Sequence, residues 1–178
     1  MATGCRFSEI LGMTWDCVDF KNGAITINKT WDYAHINDFD DTKNVASIRT
    51  ITIDKETLII LKQLHKFQKE LQLKTGSRNR DNLVFINERF ELNSNNAVNK
   101  SLKKLCEKLK ITKITTHALR HTHASILLYK NLNIKYVNRR LGHGDIVTTL
   151  KTYGHILDEL EQRETQLANE VVEAMYNA

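Results

Sequence analysis

The hydropathy period changes once along this chain, near Asp54, and that change bounds what it can fold into. Upstream, apolar side chains alternate with polar ones. Ile25, Ile27 and then Trp31 follow the turn pair Asn22-Gly23, the pattern of a hairpin arm. ASIRTITID, residues 46–54, sets Ile48, Ile51 and Ile53 among polar residues and reads as a second arm. HINDFDDTKN, residues 35–44, reads as a polar loop between them. Downstream, DKETLIILKQLHKFQKELQLKTG carries Leu58, Leu61, Leu64 and Leu71 at helical spacing, with Asp54 as N-cap and Gly76 as the stop. After the short apolar connector LVFI, helical patterns recur over residues 93–111, 115–131, 134–142 and, as a long amphipathic end helix, about 156–176. A short helix, CRFSEILGM, precedes the sheet and ends near Gly12. The expectation is an α+β class, mainly α: a helical domain with a small antiparallel β-sheet near the N-terminus.

The 178 residues suit one domain with a sizeable core. Lys and Arg together number 26 against 21 for Asp and Glu, and a basic balance favours a polyanionic partner such as nucleic acid. No apolar run approaches the roughly 20 residues of a bilayer span. MATGCRFSEI lacks the charged lead and apolar stretch of a secretory signal. Cys5, Cys17 and Cys106 lie far apart with no CxxC pair, which fits a reducing cytoplasm and argues against a disulfide framework or a thiolate zinc site. Proline is absent, so turns must come from Gly, Asn and Asp. The chain opens almost directly on a helix at Arg6, which leads us to expect a fragment whose natural chain extends upstream.

HALRHTHA, residues 117–124, concentrates three histidines and an arginine on one helix. At helical spacing His117 and Arg120 lie about 60° apart, His121 about 40° to the other side, and His123 well away. The pair His117/His121 has zincin-like spacing, but a zincin carries Glu after the first His and here Ala118 stands there. A third metal ligand would have to be His143 or His155. An arginine one turn from a histidine suits an anionic oxygen better, because guanidinium grips phosphate bidentately while imidazole exchanges a proton. Phosphoryl chemistry or a phosphate contact is therefore the sharper reading. Neither GxxxxGK[ST], GxGxxG nor a kinase HRD occurs.

HALRHTHAS followed by RRLGHGDIVTTLKTYGH resembles the tyrosine recombinase family, the integrases of phages and conjugative elements and their relatives. The family pattern of H-x-x-R, then L-G-H, then a tyrosine is matched in order by His117, Arg120, His143 and Tyr153. Its earlier T-G-x-R-x-S-E is matched by Thr3 through Glu9, with Arg6 at the arginine. Its K-[TN]-x-x-S-x-R-x-I is matched by Lys43 through Ile51. The resemblance spans the whole chain, and it implies the C-terminal catalytic domain, residues 1–178, without the family's N-terminal DNA-binding domains.

The resemblance further implies strand cleavage of double-stranded DNA. Tyr153 would attack the scissile phosphorus to form a 3′-phosphotyrosyl link. Arg6 and Arg120 would neutralise the non-bridging oxygens, and His143 would hydrogen-bond the phosphate. His117 would share a proton with Tyr153, and Lys43, with Lys29 as its rival, would protonate the leaving 5′-oxygen. No cofactor or metal is implied. Ser8 and Glu9 would shape the helix, His121 would support the site from behind, and His123 and His155 would be structural. Arg139 and Arg140 are placed to touch DNA backbone, whereas 100–110 reads as a solvated helix face. The family also implies a tetramer on DNA with exchange of the C-terminal helix, working in the cytoplasm of a bacterial or phage-infected cell. Two readings compete: a catalytically silent DNA-binding module using the same basic face, and a histidine-metal hydrolase.

Overall fold

The computed structural model describes residues 2–33, 35–42 and 45–176. In chain order it forms α1 (Phe7–Leu11), β1 (Val18–Asp19), β2 (Ala24–Ile27), β3 (Thr30–Asp32), β4 (Asp38–Asp40), β5 (Arg49–Thr52), α2 (Lys55–Thr75), α3 (Asn95–Leu109), α4 (Thr116–Tyr129), α5 (Ile134–Leu141) and α6 (Ile146–Tyr176). The fold is mostly helical with small antiparallel sheets before Asp54, as the change of period predicts.

β1, β2 and β5 make a three-stranded antiparallel sheet in which Ile25 faces Ile51 and Ile27 faces Arg49. α2 covers it, because Leu61 buries against Ile25, Ile51, Trp15 and Val84. Both ends of α2 fall where their caps require. Asp54 Oδ1 accepts from the Thr57 amide at 2.9 Å, and Gly76 takes φ 69°. Gln68 ties helix to connector: Trp15 Nε1 donates to its Oε1 at 2.9 Å, and its Nε2 donates to the Val84 carbonyl at 2.8 Å.

Two expectations for the arms are corrected. Residues 35–44 hold a strand, β4, paired with β3 so that Trp31 faces Phe39 with ring centroids 4.9 Å apart. One aromatic among acidic residues anchors it, a cross-strand contact that local polarity hides. In the second arm Ile48 points outward and is 55% exposed, while Arg49 and Ile51 point inward. Strand alternation puts Arg49 and Ile51 on one face, and the structure has a buried acid waiting for the guanidinium.

α4, α5 and α6 pack around Ala124, Leu128, Val137, Leu141 and Tyr153. α6 begins at Ile146 rather than near residue 156 and runs through Gly154. A mid-helix glycine costs about 1 kcal/mol against alanine and does not by itself end a helix. Tyr153 thus projects from within a helix into a core instead of preceding one. α1 lies between the two halves and packs on β3, burying Leu11 beside Trp31 and Leu83.

Candidate active site

The centre is organised by one carboxylate. Glu9, in the first turn of α1, is 1% exposed. Its Oε2 accepts from the Arg6 amide at 2.7 Å, a bond that fixes the start of the helix. Arg49, reaching from β5, donates from Nη1 to Oε1 at 3.0 Å and from Nη2 to Oε2 at 2.9 Å. Arg6 Nη1 donates to Oε1 at 2.8 Å, and Arg120 Nη1 stands 4.0 Å from Oε2. Burial would raise the Glu9 pKa, but the bonds and charge of Arg49, and then of Arg6, hold it below the usual carboxylate range. Three guanidiniums around one carboxylate leave the centre positive, a setting for an anion.

The same arginines share a second duty. α5 ends at Gly142 in the left-handed region, φ 68°, leaving its last carbonyls without helical partners. Arg49 Nε donates to the Arg140 carbonyl at 2.7 Å, Arg120 Nη2 to Leu141 at 2.8 Å, and Arg6 Nη2 to Gly142 at 3.0 Å. Three successive carbonyls at the negative end of α5 are each capped by a different arginine. A Cβ at Gly142 would lie 2.8 Å from Arg49 Cζ, so the close approach requires glycine. Arg120 Nη1 also donates to the Gly4 carbonyl at 2.6 Å, tying α4 to the segment before α1. Burial, then Arg6, lowers the Arg120 pKa to about 10 against the pull of Glu9, so it stays charged at neutral pH. Arg6 is the most open of the three, its side chain 29% exposed.

The turn that follows delivers His143. Its Nδ1 lies 2.7 Å from Thr149 Oγ1, and that hydroxyl donates to Asn138 Oδ1 at 2.7 Å. The threonine proton is thereby committed, so His143 donates from Nδ1 and its Nε2 is left for another partner. Burial, then the charges of Arg120, Arg6 and Arg49, push the His143 pKa down to about 4. Thr149 and Asn138 orient this ring, and no signal in the sequence marked either of them.

Tyr153 is 3% exposed, and its Oη lies 2.9 Å from His121 Nδ1. Burial raises the phenol pKa and Arg120 opposes the rise. His121 is pushed below the ordinary imidazole value by burial, then by His117 and Arg120. His117 is exposed and meets the His121 ring edge-on, centroids 4.6 Å apart. The histidine bonded to Tyr153 is His121, one turn along α4 from His117, to which the resemblance gives the shared proton. His123 Nε2 accepts from Arg140 Nε at 3.1 Å. Arg140 also donates to the carbonyls of Ala2 and Thr52 and to the Tyr136 hydroxyl, so it is engaged in internal bonds, whereas Arg139 is exposed. The structure thus brings Arg6, Arg120 and His143 together around α5's end, with the Tyr153–His121–His117 array on the adjoining face of α4. Lys43 and the side chain of His155 lie outside the described residues. Among the described residues no three His, Cys, Asp or Glu side chains gather as a metal cluster would.

The low His143 pKa sets a pH dependence of stability. Ordinary imidazole binds a proton near 6.5 and the folded ring only near 4, so between these values the unfolded chain binds more protons. Stability is therefore full above pH 6.5 and declines as pH falls toward 4. Thermal unfolding across this window is expected to show that decline, and His143→Gln should make it shallower, leaving the part that the depressed His121 contributes. An equally steep decline in the variant would assign it to other groups.

The phage integrase family model matches residues 1–159. The chain belongs to the phage integrase family. This integrase-family chain is 33% identical over 175 residues to the integrase of Staphylococcus phage L54a, covering 96% of itself and 49% of that protein. It is 29% identical over 157 residues to the ICEBs1 integrase of Bacillus subtilis (strain 168), covering 86% of itself and 42% of the relative. The chain spans about half the length of the curated relatives it matches. Its fold is that of the Tn1549 transposon integrase in complex with transposon right end DNA, with TM-score 0.75 at 23% identity over 94% of this chain and 56% of that one. The XerA recombinase shares it with TM-score 0.67 at 20% identity, over 92% of this chain and 54% of that one.

Proposed function

We propose that this chain is the catalytic domain of a site-specific DNA recombinase of the integrase type, which breaks and rejoins double-stranded DNA through a 3′-phosphotyrosyl intermediate. The observation that carries the reading is the pairing of a positive arginine–histidine centre with a tyrosine hydroxyl held by a histidine of the helix that supplies Arg120. Relatives named integrase, and the DNA bound by the Tn1549 integrase, support DNA as the substrate.

In this reading a phosphodiester oxygen meets Arg6, with the Arg120 charge beneath it, and His143 donates to it from Nε2 once the incoming anion lets the ring take up a second proton. Charge growing on the non-bridging oxygens is offset by donors already fixed on α5's carbonyls, so little reorganisation is needed. Tyr153 Oη bonds to phosphorus as the P–O5′ bond breaks. Its proton leaves to α4, with His121 the first acceptor and His117 next to it. Lys43 supplies the proton to the departing 5′-oxygen. Attack by a 5′-hydroxyl reverses the step and needs no external energy, since the phosphotyrosine keeps the ester. Tyr153 must first leave its buried seat, because 3% exposure gives no path to a phosphorus.

A duplex nicked beside the cleavage site tests the reading. A covalent protein–DNA adduct is expected in EDTA, with the DNA 3′ end attached at Tyr153 on peptide mapping. Duplex binding with no adduct would favour the silent DNA-binding module, and an adduct or cleavage lost to EDTA would favour the metal reading.

Further domains upstream and a tetramer on DNA belong to the same proposal. The far end of α6 exposes Leu167, Val171, Val172, Met175 and Tyr176, an apolar stretch that a neighbouring copy can cover. Removing residues 167–176 is expected to abolish multi-copy complexes in a native gel shift while single-copy binding persists. Undiminished assembly would rule out the exchange. Among the described residues no helix is long and apolar enough to cross a membrane, and we place the protein in the cytoplasm of a bacterial or phage-infected cell, with its DNA.

A further inference from the structure

Two clefts flank the centre, and their charges are opposite. One, of about 300 Å³, has Arg6 in its wall together with Asp32, Asp40 and Asp41. The other, of about 800 Å³, runs between β5 and α5 and reaches His143. Lys135, Arg139 and Arg140 line it, and among the described residues no Asp or Glu does. Arg140 is engaged with Ala2, Thr52 and His123. Lys135 and Arg139 are exposed, and neither enters an ion pair among the described residues. They stand four residues apart on α5 and so share a face, separated by about 6 Å along its axis.

A DNA strand whose phosphate occupies the centre continues on both sides of it, and the two clefts offer it opposite surroundings. Toward Asp32, Asp40 and Asp41 it would meet like charge. Toward α5 it meets cations. Each strand of a duplex carries one charge per about 3.4 Å of axis, so two cations about 6 Å apart can address neighbouring phosphates. We propose that the cleft between α5 and β5 seats the backbone of the cleaved strand on one side of the scissile phosphate, with Lys135 and Arg139 holding two phosphates there. The inference rests on the strand-cleaving reading of the centre and adds the direction in which the strand runs.

Binding of a fluorescent mixed-sequence duplex, measured against salt, tests it. Each phosphate contact contributes about 0.9 to the slope of log K on log salt, so Lys135→Ala/Arg139→Ala is expected to be shallower than wild type by about 1.8. Lys62→Ala/Lys69→Ala removes the same charge from α2, behind the sheet, and is expected to keep the wild-type slope. Equal changes in the two double variants would show only a general field effect and overturn the proposal, as would no change in either. If the α5 variant alone loses slope but wild type forms no tyrosyl adduct, the cleft stands and strand cleavage falls. If the adduct forms and the α5 slope is unchanged, cleavage stands and the cleft falls. If wild type binds no duplex, both fall.

Discussion

Tyr153→Phe is expected to yield no covalent adduct on a nicked duplex while binding the same duplex within about twofold of wild type. The substitution removes the only atom of Tyr153 that can bond to phosphorus and leaves the ring in the cluster of Ala124, Leu128, Val137 and Leu141. Its structural effect is confined to the bond with His121 Nδ1. A buried hydrogen bond contributes about 1 kcal/mol net, which in a domain of this size lowers the melting temperature by about 2–4 °C. A small thermal shift beside a complete chemical loss separates a nucleophile from a packing residue. An adduct that persists in Tyr153→Phe would move the nucleophile elsewhere. A melting temperature lowered by tens of degrees would make the loss of adduct a folding effect.

The sequence announces its local structure and conceals its long-range pairings. α2 was legible to the residue because its signals are local: an aspartate that caps, leucines at helical spacing, a glycine that stops. β4 was not, because what makes it a strand is Trp31, which reaches Phe39 only once the chain has turned back. The site shows the same division. The motif residues Arg6, Arg120, His143 and Tyr153 could be picked out by their match, in order, to the family pattern. Of the groups that hold them, Arg49 stands at the arginine of the matched K-[TN]-x-x-S-x-R-x-I pattern, whereas Asn138 and Thr149 carry no local mark, since each acts across a turn. The alternation of Arg49 with Ile51 was a usable signal: a guanidinium on the buried face of a strand implies a buried acid, and Glu9 was the acid within the motif. His121 was legible as a neighbour of the site, but which histidine meets Tyr153 depends on how far along α4 the later helix packs.

Glu9 carries the second large effect. Glu9→Gln is expected to destabilise the fold by about 3–5 kcal/mol, the cost of breaking a buried ion pair from one side. At roughly 2–4 °C per kcal/mol the melting temperature falls by about 10 °C. The carboxylate neutralises Arg49, whose side chain is 4% exposed, and binds Arg6 as well. With an amide in its place, three guanidiniums face one another and the amide NH₂ confronts a donor. Part of the strain should reach the carbonyls of Arg140, Leu141 and Gly142, because the same arginines cap them. His143 follows directly, so adduct formation is expected to slow even under conditions where the variant is folded. Acid acts like the mutation. The Glu9 pKa is depressed, so its contribution is complete above about 4.5 and is lost as pH falls further, starting at the lower edge of the window in which His143 titrates. Pairing the change with Arg49→Met removes the orphaned charge along with its partner, and the double variant is expected to recover part of the loss, as a non-additive cycle. A loss under about 1 kcal/mol in Glu9→Gln, or strict additivity in the double variant, would mean that the arginines are held by the α5 carbonyls alone and that Glu9 is a bystander between them.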